Sequence, residues 1–395
     1  MKKVLAILLS VSMLACSAPP VMAADDSLDI EKVAIATLKN SQTLQNVDNQ
    51  VSLVNKNYGN VTEAINKLRA ALVYPSMSYY QNVVTIIEMP LEMQDRVNQA
   101  INGQQVATNG VRLSSYQAYQ QLLKAKYAMD IKQELMLSLE TDYKNAQLEL
   151  EQGTISSPEL RLSEITYLKA QYDYHSAQNS YDSATQSVNQ LMGEKLPTRY
   201  STLKDDNIVP AATIKPLEDY ISAALGSRVE IINARNTLDL KKKEYDLGKS
   251  EIPTDYDFYV QKQEYAIGSA ENDLSLAKIS VQEDITNSYK ILEAAMKSLE
   301  AKKAMADQAA LNYQAAKAEY ENSQITLQDL GKVKNDKAQK DIDYKNAQLD
   351  AWLAQISLEA ACGIGYQPPN ATSSTDFSIS PYPSQNNVNP VETRD

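Results

Sequence analysis

The sequence predicts an all-α protein: two tandem repeats, each a hairpin of long antiparallel coiled-coil helices, with little or no β-strand. Three observations carry this expectation. First, the chain repeats itself. Tyr143, Ala146, Ile155, Glu159, Leu160, Tyr174, Ala177 and Gly193 meet Tyr313, Ala316, Ile325, Asp329, Leu330, Tyr344, Ala347 and Gly363 at one constant offset, and a fixed offset held without a gap marks an internal duplication. Second, only 11 Gly, 2 Phe and 1 Trp occur in 395 residues, and the Ala-, Leu-, Lys-, Glu-, Gln- and Asn-rich remainder favours long helices over layered cores. Third, apolar residues recur at spacings of three and four through most of the chain.

The elements follow in order. Residues 1–24 read as a secretory signal: Lys2 and Lys3, an apolar core from Val4 to Ala15, then Val21-Met22-Ala23 as a small-residue cleavage site. Cys16 is a possible lipidation site. If cleavage falls at Ala23 or Ala24, Cys362 is the remaining thiol and no intrachain disulfide can form. Repeat 1 covers 28–193. It opens with a helix over 28–71, for which Asp25, Asp26 and Ser27 are candidate caps and Gly59 a weak point. Residues 73–89 differ: β-branched and aromatic residues cluster between Pro75 and Pro90, as in a strand or two short ones. A long helix over 91–152 carries Tyr116, Tyr119, Leu123, Tyr127 and Ile131 on one stripe. A tip follows at Gly153–Leu160, then a return helix over 157–192.

Residues 194–216 read as a linker, punctuated by Pro197, Pro210 and Pro216. Repeat 2 covers 217–365, with helices over 217–248, 257–321 and 327–362 and a second tip at Ser323–Leu330. The opening run Ala34–Leu44 matches Ile221–Ile231 at a longer offset. Repeat 1 therefore holds a surplus that fits 73–89, placed at the end remote from the tips. In repeat 2 the corresponding reversal is only Gly248 to Tyr256, around Pro253. Residues 366–395, rich in Pro, Asn and Ser, read as a disordered tail. Helices of this length lack a globular core of their own, so an oligomer is expected to cover their apolar stripes.

The chemistry is sparse. The formal charge of −12 argues against nucleic acid as a partner. His175 is the one histidine and reads as a surface or packing residue, and Cys362 as a packing thiol. Metal-ligand spacing and phosphate loops are lacking, so no enzyme activity and no cofactor is expected. The carboxylates near the tips, above all the matched pair Glu159 and Asp329, read either as solvated helix faces or, repeated around an oligomer, as a ring favouring cations. Lys332, Lys334, Lys337 and Lys340 read as a charged helix face.

At the tips the pattern resembles a known family. The run Tyr143-x-x-Ala146, Gly153-Thr-Ile-Ser-Ser-Pro-Glu159-Leu160, Ala170, Tyr174, Ala177, Leu191-Met-Gly193 is similar to the hairpin of the outer-membrane efflux protein (TolC) family, as is its partner ending Ala360-Ala361-Cys362-Gly363. The likeness covers roughly residues 28–365. It implies a trimer whose helices form a tunnel in the periplasm, on the way between an inner-membrane transporter and the outer membrane. A periplasmic adaptor, or membrane fusion protein, would dock at the tips. The residues carried over are Gly153, Thr154, Ile155, Pro158, Glu159 and Leu160 of the first tip, with Ile325, Thr326, Asp329 and Leu330 of the second. An exported envelope or outer-membrane protein, with or without a lipid at Cys16, is then expected. In the family each repeat adds two strands to a shared β-barrel. Here residues 73–89 supply one strand or two short ones and 249–256 none, so the barrel is expected to be reduced or missing. The alternative is a non-conducting envelope spacer.

Overall fold

The computed structural model describes residues 27–71, 79–251 and 256–366. The signal, Cys16, Asp25, Asp26, Pro75, Pro253 and residues 367–395 lie outside the described residues. Eight helices run through the described residues: α1 (Ile30–Asn40), α2 (Gln42–Ala70), α3 (Tyr79–Glu151), α4 (Ser157–Met192), α5 (Leu217–Ser227), α6 (Val229–Glu251), α7 (Tyr256–Glu321) and α8 (Leu327–Cys362). Two short strands, β1 (Ser27–Leu28) and β2 (Thr202–Leu203), pair in parallel. The sheet is thus confined to four residues of the described chain, and the fold is the all-α hairpin duplication that the sequence predicts.

Each repeat is organised on one long helix. At ~1.5 Å per residue, α3 with its 73 residues spans about 110 Å, and α7 with 66 about 99 Å. Helices α1, α2 and α4 pack along α3; α5, α6 and α8 pack along α7; and α3 also runs beside α6 and α8, which joins the two halves.

Three sequence expectations are corrected. The opening helix breaks at Ser41, not at Gly59, which lies inside α2. Ser41 Oγ accepts the Leu44 amide and caps α2 (3.3 Å), so the break comes with a replacement for a lost helical partner. Asp29, rather than Ser27, caps α1, its carboxylate accepting the Lys32 amide (2.8 Å). The second correction is parallel: 217–248 is not continuous but breaks at Arg228. Ser41 and Arg228 are the same position of the duplicated opening run, and both hold extended backbone (φ −67°, ψ 115° and φ −64°, ψ 132°). The third concerns the strand-like segment. From Tyr79 onward it is helix, with Pro90 inside α3. Val83 and Ile87, then Met93, Val97 and Ala100, keep the helical spacing and pack against neighbouring helices. That burial outweighs β-propensity and the one hydrogen bond that the proline ring removes.

The core sits where the opening helices of each repeat meet the ends of the return helices. In repeat 1, Val33, Tyr119, Leu122, Leu123, Val188 and Met192 are buried together, with Leu349 and Trp352 of α8. In repeat 2, Ala224, Ile231, Ile285, Leu292, Leu358 and Ala361 form the counterpart, against which Tyr366 also packs. Equivalent side chains close each joint. Asn40 Nδ2 donates to the Met192 carbonyl. Ser227 Oγ donates at the matching place, 2.7 Å from the Cys362 carbonyl and 3.0 Å from that of Gly363. The linker is tied down by Asn189, whose Nδ2 donates to the carbonyls of Leu196 and Thr198 (3.0 Å each) and whose Oδ1 accepts from the Tyr200 hydroxyl (2.6 Å).

Candidate functional site: the paired hairpin tips

The two tips are built alike from different residues. Helix α3 ends with Gly153 in the left-handed region (φ 75°), and α7 ends with Ser323 in the same conformation (φ 58°). Gly153 N–H donates to Leu150 (2.9 Å) and Thr154 N–H to Glu149 (2.9 Å); Ser323 N–H donates to Tyr320 and Gln324 N–H to Glu319 (2.8 Å each). This is the Schellman termination, which satisfies the last helical carbonyls. Glycine adopts that conformation freely, whereas Ser323 holds it against a cost of about 1 kcal/mol.

The return helices then start on matched caps. In the first tip the Ser156 amide and hydroxyl both donate to Glu159 Oε2 (2.7 and 2.8 Å), with Pro158 in the first turn. In the second, Thr326 Oγ1 accepts the Asp329 amide (3.1 Å) and donates to Asp329 Oδ2 (2.8 Å), and Lys332 Nζ donates to Asp329 Oδ1 (3.0 Å). The Ser156 amide and hydroxyl hold Glu159 below the usual carboxylate range, and Lys332 and Thr326 do the same for Asp329. Both therefore carry their charge at neutral pH, and their capping is lost only as pH falls through those lowered values.

Between the tips lies a groove of about 760 Å³. Thr154, Ile155 and Glu159 line it from one tip, Ile325 and Thr326 from the other. Gly153 and Pro158 are exposed and shape the turn. Leu160 faces a separate shallow surface beside Leu148, and Leu330 is buried. The predicted tip residues thus divide into groove-lining, turn-forming and packing positions.

Sequence reasoning missed the residues that hold the tips side by side. Lys334 Nζ of α8 donates to Asp142 Oδ2 (2.5 Å) and Ser138 Oγ (3.0 Å) of α3, and the Lys334 and Asp142 side chains are only 10% and 16% exposed. Lys334 is therefore an inter-repeat strut, while Lys337 pairs with Asp341 on its own helix. Tyr320 is half-buried, and burial together with Glu149 raises its hydroxyl pKa, so it remains a donor. Tyr143 and Tyr167 stack above the first tip, ring centroids 6.0 Å apart. His175 is exposed, its Nδ1 3.4 Å from Gln178 Oε1. Burial pushes the Cys362 thiol up to about 11, which leaves it an unreactive packing group at neutral pH. Among the described residues, no group of three or more His, Cys, Asp or Glu side chains is arranged to hold a metal ion, and no helix is long and apolar enough to cross a membrane.

Tandem helical hairpins with twin tips at one end define the structural class. No family model matches the sequence, and no curated protein matches it. Solved structures do match. The open-state Neisseria gonorrhoeae MtrE outer membrane channel aligns with a TM-score of 0.60 at 12% identity, over 86% of this chain and 89% of that one. The Campylobacter jejuni CmeC outer membrane channel aligns at 0.54 and 12%, over 86% of each chain. The Vibrio cholerae outer membrane protein VceC aligns at 0.57 and 11%, over 86% of this chain and 97% of that one. This chain therefore has the fold of these outer membrane proteins, which is the fold implied by the resemblance at its tips.

Proposed function

We propose that the protein is an outer-membrane-factor component of an envelope efflux or type I secretion system, a helical conduit whose tips receive a periplasmic adaptor. The single observation that carries this reading is the pair of equivalent tips, held side by side and enclosing one groove. A duplicated, rigid, polar end is what a docking hairpin needs, and two of the solved structures that share this fold are outer membrane channels.

Uncovered apolar stripes support assembly from several copies. On α7, Phe258, Tyr265, Leu276, Ile279, Ile291 and Met305 are all exposed, and at 100° per residue they fall within an arc of about 120°. Leu162, Ile165, Leu168 and Tyr172 form a similar exposed stripe on α4. Facing each other between neighbouring copies, such stripes close a ring, and the family resemblance makes three the number. Glu159 and Asp329 would then recur around the entrance as ionised carboxylates and favour cations.

Planar-bilayer conductance of the purified full chain tests this reading. Cation-selective channels are expected, with selectivity reduced about twofold or more in the combined Glu159→Gln, Asp329→Asn variant. Anion preference would remove the carboxylate ring from the account.

A second reading, a non-conducting envelope spacer, is favoured by the connections remote from the tips. Eight residues join α2 to α3, and four join α6 to α7. A transmembrane strand takes about 9–11 residues, so neither connection has the length for the strand pair that each repeat of a barrel-forming relative contributes. Assembly without any conductance would decide for the spacer.

A further inference from the structure

At the end remote from the tips, α3, α6 and α7 bury a cluster of charge. Glu244 of α6 is 1% exposed. Its Oε2 accepts from Lys241 Nζ (2.8 Å), which also donates to Glu92 Oε1 of α3 (3.1 Å). Its other oxygen, Oε1, is buried with no hydrogen-bond donor among the described residues. Lys241, Glu92 and Glu88 act on it directly, and the cluster extends to Asp95 of α3 through Lys241 and Glu92, and to Lys262 and Gln263 of α7 through Glu88. The Tyr259 hydroxyl donates to the Glu244 main-chain carbonyl (2.8 Å). Gln263, 3% exposed, donates to Glu88 Oε1 (2.6 Å), and its own Oε1 is likewise buried without a donor. Asp95 accepts from Gln99 (2.7 Å) and Thr237 (3.2 Å).

Two features of this arrangement point the same way. Carboxylates outnumber ammonium groups, and two buried acceptor oxygens lack a proton to accept. A proton on Glu244 Oε1 removes one charge from the cluster and turns an orphaned acceptor into a donor. We propose that the cluster is a proton-operated latch: protonated Glu244 holds the distal ends of α3, α6 and α7 together, and its ionisation loosens them.

The titration of the site agrees with the geometry. Burial pushes Glu244 up to about 7, outweighing Lys241, and Glu92 and Glu88 add to the rise. Burial raises Glu88 and Asp95 as well. Burial opposes the Lys241 charge, but Glu244 and Glu92 outweigh it and raise its pKa, so it stays charged. A carboxyl whose folded value lies above its unfolded value stabilises the folded state fully below the ordinary value near 4.5. That contribution declines as pH rises and is lost above about 7.

Hydrogen exchange of the full chain between pH 5.5 and 8.5, with rates divided by the intrinsic chemical rate, tests the latch. Peptides covering 237–249 and 259–267 are expected to lose protection about tenfold across this range, while a peptide at 349–358 stays constant. Glu244→Gln is expected to make 237–249 independent of pH and as protected as the unsubstituted chain at pH 5.5. Glu92→Gln, which removes a neighbouring negative charge that raises Glu244, is expected to shift the transition to lower pH and to reduce its amplitude. A flat profile in the unsubstituted chain, or an unchanged transition in Glu244→Gln, overturns the proposal. If Glu244→Gln fails to fold, the Glu92→Gln midpoint decides, and an unmoved midpoint overturns it.

Discussion

Tyr119→Ala is expected to lower stability by about 3–5 kcal/mol, the cost of deleting a fully buried aromatic side chain. Tyr119 is 0% exposed and lies at the centre of the repeat 1 core. Its hydroxyl stands 2.9 Å from the Leu28 carbonyl and 2.8 Å from that of Lys204. The ring therefore fills the core, while the hydroxyl pins the start of repeat 1 and the linker strand to α3. Burial, with Asp29 and Asp205 nearby, raises the hydroxyl far above the ordinary tyrosine value, so it remains a donor throughout the physiological range. Tyr119→Phe separates the two roles. It keeps the ring and leaves the carbonyls without this donor, and a loss of about 1–2 kcal/mol is expected. Urea unfolding followed by helical circular dichroism measures both. A Phe variant as unstable as the Ala variant would show that the hydroxyl, not the ring, carries the site.

Gly248→Ala is expected to destabilise the distal joint by about 2 kcal/mol, although alanine is the better helix former. A β-carbon at 248 would meet the Tyr259 hydroxyl oxygen at 1.8 Å and its ring carbon Cζ at 2.3 Å. Tyr259 is 1% exposed and tied through its hydroxyl to Glu244, so it cannot swing into solvent without losing both. Overpacking of this kind costs about 1–3 kcal/mol or more, against about 1 kcal/mol gained in helix propensity. Gly268 lies inside α7, and a β-carbon added there would have nothing within 4 Å. Gly268→Ala is therefore the control, expected to raise stability by about 0.5–1 kcal/mol. The sign difference between the two substitutions is readable in one thermal unfolding series.

Much of the architecture was legible in the sequence because duplication and helical period are properties of sequence order. The constant offset identified Gly153 and residue 323 as the same turn position before the backbone showed both in the left-handed region. The bounds of α4, α7 and α8 follow from Gly193, Gly363 and the tips. The longer offset of the opening runs aligns Ser41 with Arg228; serine is a common cap but arginine is a good helix former, so the pair of positions does not announce a shared break. At Ser41 a side-chain cap makes it possible. At Arg228 the guanidinium does, bonding Glu230, Asp284 and the Ala361 carbonyl. Over 79–89 the strand-like reading failed because local propensity was outweighed by the burial of Val83, with Val84 and Ile87, against Tyr259 of α7.

Polar packing was the least legible part. Glu244 stands in the run Lys-Lys-Lys-Glu-Tyr-Asp, which reads as a solvated face, but the helix turns it inward. Lys334 and Asp142 are far apart in sequence, and only the packing of α8 on α3 makes them a pair. The tip residues were found as a set, whereas their division between groove, turn and core required the fold. Leu330 and Leu160 occupy the same position of the repeat, yet Leu330 is buried and Leu160 is not.

The central claim is that copies of this chain close into a hollow tube with all tips at one end. Single-particle electron microscopy of the purified full chain tests it most directly. The account predicts a three-copy cylinder about 100 Å long in its helical part, with the apolar stripes of α4 and α7 covered between neighbours and the Glu159 and Asp329 tips ringing one mouth. A monomeric rod, or a solid bundle with no axial channel, would contradict it.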